Sequence, residues 1–401
     1  MTIASPADAR SGPPHGPLLA ILKLAGQQCN LDCLYCYERR KPATRGHLSP
    51  EVLERFLDKL NGERLKVVLQ GGEPLLVSKD RMAALLQVLS SYAALDRIAI
   101  QTNGTLIDQS WLELFAELAP SIEWGVSFDG LGDYSSLRQT HDGEASWMQT
   151  VRGIEQLEGS QIRYGLITVV TSRHTEHPMP REFLAGLDSF SYLTNLKLVP
   201  CLDGPQTAPS RRQTVSAVRQ RAGLRPGAPP SWAVSPNEFH SFVEVVERDW
   251  INRGHWRRYR LDPIASVVEN LLGRGSNYSD FSGGSDADVV TLYPDETIAI
   301  NDRSIESMSG EADLSAIGDV RVYLAKRRSQ LADEWHREYL PMCSPCPAWD
   351  GCGGSELYMR RSLRESSREE EFCHGRRQMV ANVKQLLASI GRAQPTRKAA
   401  R

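Results

Sequence analysis

LLAILKLAGQQCNLDCLYC, residues 18–36, is the stretch on which the reading of the fold turns. LLAILKL (18–24) is apolar apart from Lys23 and reads as a buried strand. It runs into a loop carrying Cys29, Cys33 and Cys36 in C-x3-C-x2-C spacing. Outward from there the chain alternates. SPEVLERFLDKLNG (49–62) predicts a helix with Ser49 at the N-cap, Pro50 at its first position and Gly62 near its C-cap. Further strands are predicted at 65–72, 97–104, 122–130, 162–171 and 195–200. Helices are predicted between them at 80–95, with Asp80 as cap, and at 108–119, 146–157 and 180–190. Strands alternating with helices of this length imply an α/β fold with a parallel sheet. Six strands fit a partial (β/α)6 TIM-like barrel better than a closed barrel of eight. Chemistry in such sheets sits at the carboxyl ends of the strands.

The 401 residues are 41% apolar and 24% charged, which is ordinary for a chain that buries a core. With 47 basic against 49 acidic residues the formal charge is −2, so no global basic field invites nucleic acid. No apolar run reaches the roughly 18 residues of a membrane span, and MTIASPADARSGPPHGP lacks the apolar region of a secretory signal. A cytoplasmic protein without nucleic-acid or membrane partners is expected. Residues 1–17 read as a disordered leader and 18–202 as the barrel. Residues 203–262 read as a bridging region, with an Arg/Pro-rich excursion over 203–232 and a helix from Pro236. Residues 263–381 read as a smaller second domain with a possible hairpin at 289–300, and 382–401 as a tail.

Eight cysteines in a chain of this length are not a disulfide scaffold; short regular spacings point to metal or redox groups. Three thiolates on one loop can bind a cubane iron–sulfur cluster and leave one iron without a protein ligand. An open position marks a catalytic metal site, whereas a zinc knuckle wants a fourth Cys or His nearby.

C-x3-C-x2-C with Tyr35 before its last cysteine, placed after the first strand, resembles the radical S-adenosylmethionine (SAM) superfamily. The resemblance implies a [4Fe–4S] cluster that binds SAM and cleaves it to a 5'-deoxyadenosyl radical. It also implies roles for further residues. GGEP (Gly71, Gly72, Glu73, Pro74) follows the second strand and resembles the segment whose exposed backbone groups bind the SAM ammonium together with the carboxylate at Glu73. Asn103, in TNGT, matches a polar residue near the SAM methionine or ribose. Ser127 and Asp129, in SFDG, resemble the ribose partners. Arg138 falls where an arginine pairs with the SAM carboxylate, the alternative being a surface arginine. Tyr35 is expected near the adenine or in ordinary core packing.

Cys343, Cys346, Cys352 and Cys373 supply four thiolates, enough to close either a zinc site or a four-iron cluster. Downstream of such a barrel they resemble the SPASM domain, which normally carries two auxiliary clusters. Here one cluster's positions lack cysteine, with Asn301 and Glu356 at two of them, while the other's are all present. One auxiliary [4Fe–4S] cluster is therefore expected. In sulfatase-maturing relatives the residue matching Asp302 is the base that removes the substrate proton; the alternative is a turn carboxylate. Cys201 is left over and is expected to be a buried or barrel-mouth thiol, with a substrate or hydrogen-donor role as the minor alternative.

The resemblance implies a peptide-modifying enzyme. The leading expectation is oxidative modification of a ribosomally made peptide by a side-chain cross-link of cyclophane, thioether or ether type. Alternatives are a sulfatase-type formylglycine maturase, and a dehydrogenase or epimerase of a small metabolite such as a sugar. The expected partners are a precursor peptide, a separate leader-binding recognition protein, and a reductase such as flavodoxin or ferredoxin. The excursion at 203–232 is a candidate docking surface.

Overall fold

β1 (Leu18–Lys23) is buried along nearly its whole length. An apolar run with no polar face requires that, and a parallel sheet covered by helices supplies it. In the computed structural model the described residues are 17–38, 46–176, 180–202, 232–276, 278–281, 289–300 and 312–393. Nearly all of the leader and of the 203–232 excursion, the Asn301 and Asp302 positions, and the end of the tail lie outside them.

The alternation follows the sequence pattern closely. α1 (Pro50–Asp58) starts where Ser49 Oγ accepts from Val52 N at 3.3 Å, and it buries Val52, Leu53, Phe56 and Leu57 on one face. β2 (Leu65–Gln70) follows, then α2 (Lys79–Ser91). The expected cap of α2 is corrected: Ser78, in extended conformation, accepts from Arg81 N, and Asp80 sits inside the first turn. There its charge favours the helix N-terminus without capping it. β3 (Leu95–Thr102), α3 (Gln109–Leu118, capped by Asp108), β4 (Glu123–Ser127), α4 (Trp147–Gly159) and β5 (Tyr164–Val170) continue the series. Two short helices, α5 (Ser172–Thr175) and α6 (Pro180–Ala185), precede β6 (Leu193–Pro200).

β1 to β6 pair in parallel in sequence order, giving the α/β partial barrel. Flanking strands extend the sheet on both sides. β7 (Arg260–Asp262) pairs in parallel with β6. On the other edge β8 (Val289–Leu292) pairs in parallel with β1, and β9 (Thr297–Ala299) folds back on β8 as the hairpin expected at 289–300. β10 (Ala312–Asp313) completes ten strands among the described residues. So the hairpin lies against the strand that feeds the cysteine loop.

Between the flanks run α7 (Pro236–Asn252), with a capping box of Ser235 and Glu238, and α8 (Ile264–Leu271). Beyond β10 come α9 (Val320–Glu338), the short α10 (Leu340–Cys343) and α11 (Trp349–Cys352), α12 (Leu357–Glu365) and α13 (Glu369–Ala393). α13 packs on α7 and α8. No helix of the described residues is long and apolar enough to cross a membrane.

The α7–α13 contact depends on Gly375. A Cβ there would stand 2.2 Å from His240 Nδ1, and that ring is held by Pro236 O at 2.7 Å and packs edge-on to Phe372. Gly375→Ala is expected to lower stability by about 1–3 kcal/mol through overpacking. Gly318→Ala, with nothing within 4 Å of the added atom, is expected to be near neutral. Thermal melts of the two variants check this; equal melting temperatures would contradict it.

Candidate functional site

The cysteine loop is strapped to the segment after β4. Leu34 N donates to Leu137 O at 3.0 Å, and Leu31 bridges Thr140 in antiparallel sense. His141 contacts Cys29 O at 2.9 Å, and Cys36 N donates to Cys33 O at 3.2 Å. These bonds fix a loop whose three thiols are half-buried or buried. Cys29 Sγ accepts from Leu31 N at 3.4 Å and faces Asn103 Nδ2 at 3.7 Å. Burial pushes the Cys29 thiol up to about 11 and the Cys33 thiol to about 12; neighbouring cysteines push the same way. Arg138 opposes the rise at Cys33.

The GGEP turn lies directly against this loop. Gly72 has φ +51°, and a Cβ there would fall 1.8 Å from Gln28 O; Gly71, at φ +99°, backs onto Lys23 of β1. Only glycine allows an approach this close. Glu73 N donates to Gln28 O at 2.8 Å. The Glu73 carboxylate is wholly buried. It accepts from Leu75 N at 3.0 Å, Thr102 Oγ1 at 2.7 Å and Asn103 N at 2.7 Å, and it caps the short turn at Pro74–Leu76. Burial holds its pKa up, against those three donors. The carboxylate thus joins the turn to the end of β3, and the turn's backbone edge is what faces the cysteine loop.

Asn103 is the hinge of that junction. Its Nδ2 also donates to Asn30 Oδ1 at 2.8 Å, and its Oδ1 accepts from Thr105 N and Thr105 Oγ1 at 2.9 and 2.7 Å. Asn30 in turn donates to Thr105 Oγ1 at 2.8 Å. Asn30, Thr105 and His141 escaped the sequence reading, although Asn30 and Thr105 stand inside or beside its motifs.

Half-buried Tyr35 and buried Asp129 and Arg138 form one hydrogen-bonded group. Tyr35 OH donates to Asp129 Oδ2, and Arg138 Nη1 donates to Tyr35 OH at 3.0 Å. Asp129 Oδ1 accepts from Val169 N at 3.0 Å. Arg138 is buried, which removes the surface-arginine alternative, and its Nε has no hydrogen-bond partner among the described residues. Ser127 Oγ, half-buried at the end of β4, accepts from Gln101 Nε2 at 3.0 Å. Cys201, just after β6, is buried with Leu137 and Trp232, and Tyr35 packs on the same small cluster. It is therefore at the mouth of the barrel, beside the cysteine loop. A salt bridge of 2.6 Å between wholly buried Lys23 and Glu38 ties β1 to the residues just after Cys36. The lone charge in LLAILKL was its sequence signal.

The second cysteine set is built from α10, α11, the segment between them and α13. Cys346 N donates to Cys343 O at 3.0 Å; burial pushes the Cys343 thiol up to about 11, its three partner thiols push the same way, and Arg360 opposes the rise. Glu356 is buried at the N-cap of α12. Among the described residues no three His, Cys, Asp or Glu side chains close on a single ion. Asp302 lies outside the described residues.

Residues 25–181 match the Radical SAM superfamily. The serine-type anaerobic sulfatase-maturating enzyme of Bacteroides thetaiotaomicron is 29% identical over 276 residues, 64% of this chain and 63% of that protein. The enzyme of the same name from Klebsiella aerogenes is 32% identical over 174 residues, 40% of this chain and 42% of its own length. The chain thus spans less than two thirds of either relative. Native anSMEcpe with bound AdoMet and Cp18Cys peptide shares the fold at TM-score 0.76 and 19% identity, over 94% of this chain and 99% of that one. Streptococcus suis SuiB bound to precursor peptide SuiA reaches TM-score 0.53 at 14% identity, over 77% and 64%.

The buried thiols give a pH test on the metal-free chain. Cys33 has a folded pKa of about 12 against 9.0 for a free thiol, so the folded state keeps its proton longer than the unfolded one. The stability linked to that proton is complete below pH 9 and is lost as pH rises toward 12. The melting-temperature gap between wild type and Cys33→Ala is expected to narrow across that range; a constant gap would contradict the burial of the thiol.

Proposed function

Residues 25–181 belong to the radical SAM superfamily, and from that premise we propose that the chain reductively cleaves SAM and oxidises a side chain of a polypeptide substrate. Cys29, Cys33 and Cys36 would hold a [4Fe–4S] cluster with one iron left for SAM. The carrying observation is the donor set around Cys29. The amide of Asn103 and the backbone N–H of Leu31 both point at its sulfur, an arrangement that suits a thiolate ligand. Such a cluster with SAM supplies a 5'-deoxyadenosyl radical that removes a substrate hydrogen atom.

The chain's own residues orient this chemistry. The backbone of Gly71, Gly72 and Pro74, held by Glu73, would meet the methionine end of SAM. Arg138 keeps a permanent charge and a free Nε for its carboxylate. Ser127, Asp129 and Asn103 line the ribose side, and Tyr35 fixes Asp129. Cys343, Cys346, Cys352 and Cys373 would hold one auxiliary [4Fe–4S] cluster. We assign Asp302, by its place in the sequence, to removal of the substrate proton. A precursor peptide as substrate, a separate leader-binding protein and a flavodoxin- or ferredoxin-type reductase complete the reading.

Two product chemistries have specific support. Oxidation of a serine to formylglycine is supported by the likeness to two serine-type sulfatase-maturating enzymes. A side-chain cross-link is supported by the missing cysteines at Asn301 and Glu356, and a precursor peptide as substrate is in keeping with SuiB, which shares the fold and is bound to precursor peptide SuiA. Formylglycine carries an aldehyde that a hydrazide captures; a cross-link leaves none.

Anaerobically reconstituted protein is expected to hold about eight iron per chain, as two cubanes require, and to release 5'-deoxyadenosine from SAM and dithionite. Cys29→Ala is expected to abolish that release. Retained release in this variant, or zinc in place of iron in the wild type, would contradict the proposal. Hydrazide labelling of a modified peptide then chooses between the two products.

A further inference from the structure

The second cysteine set has an ionised donor within reach of its sulfurs. Arg360 is 1% exposed. Its Nη1 lies 3.0 Å from Cys373 Sγ and its Nη2 3.7 Å from Cys343 Sγ, so one planar fork spans two of the four thiols. Tyr339 backs the guanidinium at 5.1 Å, and Glu369 pairs with it at 3.1 Å from a more exposed position. Arg376, 4% exposed, stands near Cys352 from the α13 side. It is sandwiched by Phe281 at 3.7 Å and Phe372 at 4.8 Å, its nearest carboxylate is Asp280 at 3.9 Å, and its Nε and Nη1 have no hydrogen-bond partner among the described residues. At the first set the groups donating to Cys29 sulfur are a neutral backbone N–H and a neutral amide.

We propose that Arg360 is a positioning residue that raises the reduction potential of the four-cysteine cluster, with Arg376 adding to the same field. This rests on the reading of that set as a [4Fe–4S] site. Reduction adds one electron and hence one negative charge to the cluster. A buried cation and charge-assisted N–H to sulfur bonds stabilise the more negative state. Burial keeps water from screening the interaction. Arginine does not deprotonate in proteins, so no proton accompanies the electron and the potential is independent of pH near neutrality. Lysine cannot reproduce the effect fully, because it offers a point charge in place of a fork that reaches two sulfurs.

The test uses the full chain with Cys29, Cys33 and Cys36 replaced by Ala, loaded anaerobically with iron and sulfide, so that only the C-terminal cluster reports. In an EPR-monitored redox titration, Arg360→Gln is expected to keep about four iron per chain and to shift the midpoint downward; Arg360→Lys is expected to shift it less. An Arg360→Gln midpoint equal to the parent's at full iron content overturns the proposal. Should Arg360→Gln fail to hold iron, Arg360→Lys carries the same decision: a lowered midpoint supports, an unmoved one overturns. A parent that binds zinc and no iron overturns the four-iron reading itself, and that failure shows in the parent before any arginine is changed.

Discussion

The Glu73 carboxylate is the constraint on which the site depends. It is wholly removed from water, where an ionised group is costly, and three donors from two elements converge on it. Hydrogen bonds to charged groups contribute about 1.5–3 kcal/mol each, and one left unmade here would strand a buried charge. Through Asn103 N it fixes the residue whose amide reaches Cys29; through its own N–H it holds Gln28 at the start of the cysteine loop. Gly72 completes the arrangement by allowing the turn to lie against Gln28 O, where any side chain would collide. Three strand ends are thus registered by one buried acid and one residue without a side chain.

A second hydrogen-bonded group, half-buried Tyr35 with buried Asp129 and Arg138, does the same from the other side of the loop. Tyr35 is flanked closely by Cys33 and Cys36, so its hydroxyl pins the cysteines to the ends of β4 and β5. Lys23 and Glu38 fix the loop's exit. The cysteines are therefore framed from both sides of the loop, and backbone bonds from Asp32 and Leu34 to residues 137–139 hold the segment between them. This preorganisation is what a reactive cofactor requires of its protein.

Much of this was legible in the sequence. The alternation of apolar runs and amphipathic helices located β1 to β6, and the cysteine spacing located the loop. The cap of α2 was misread because Ser78 and Asp80 are both good capping types, and only the backbone conformation at Ser78 decides between them. The side chain of Glu73 was read as facing a ligand, whereas the structure turns it inward. A carboxylate after two glycines carries no signal for which way the turn faces. Arg360 and Arg376 stayed invisible because the C-terminal segment is rich in arginine and nothing in MRRSLRESSRE distinguishes the one that reaches sulfur. The pairing of β8 with β1 joins positions far apart in the chain, beyond any local pattern.

The central claim is that the loop of Cys29, Cys33 and Cys36 presents an iron to SAM. EPR of the dithionite-reduced protein, recorded with and without SAM, addresses it most directly. The account predicts a reduced-cluster signal that changes shape on SAM addition and is absent from a variant with all three cysteines replaced by Ala. A signal indifferent to SAM, or one that survives the loss of those three cysteines unchanged, would contradict it.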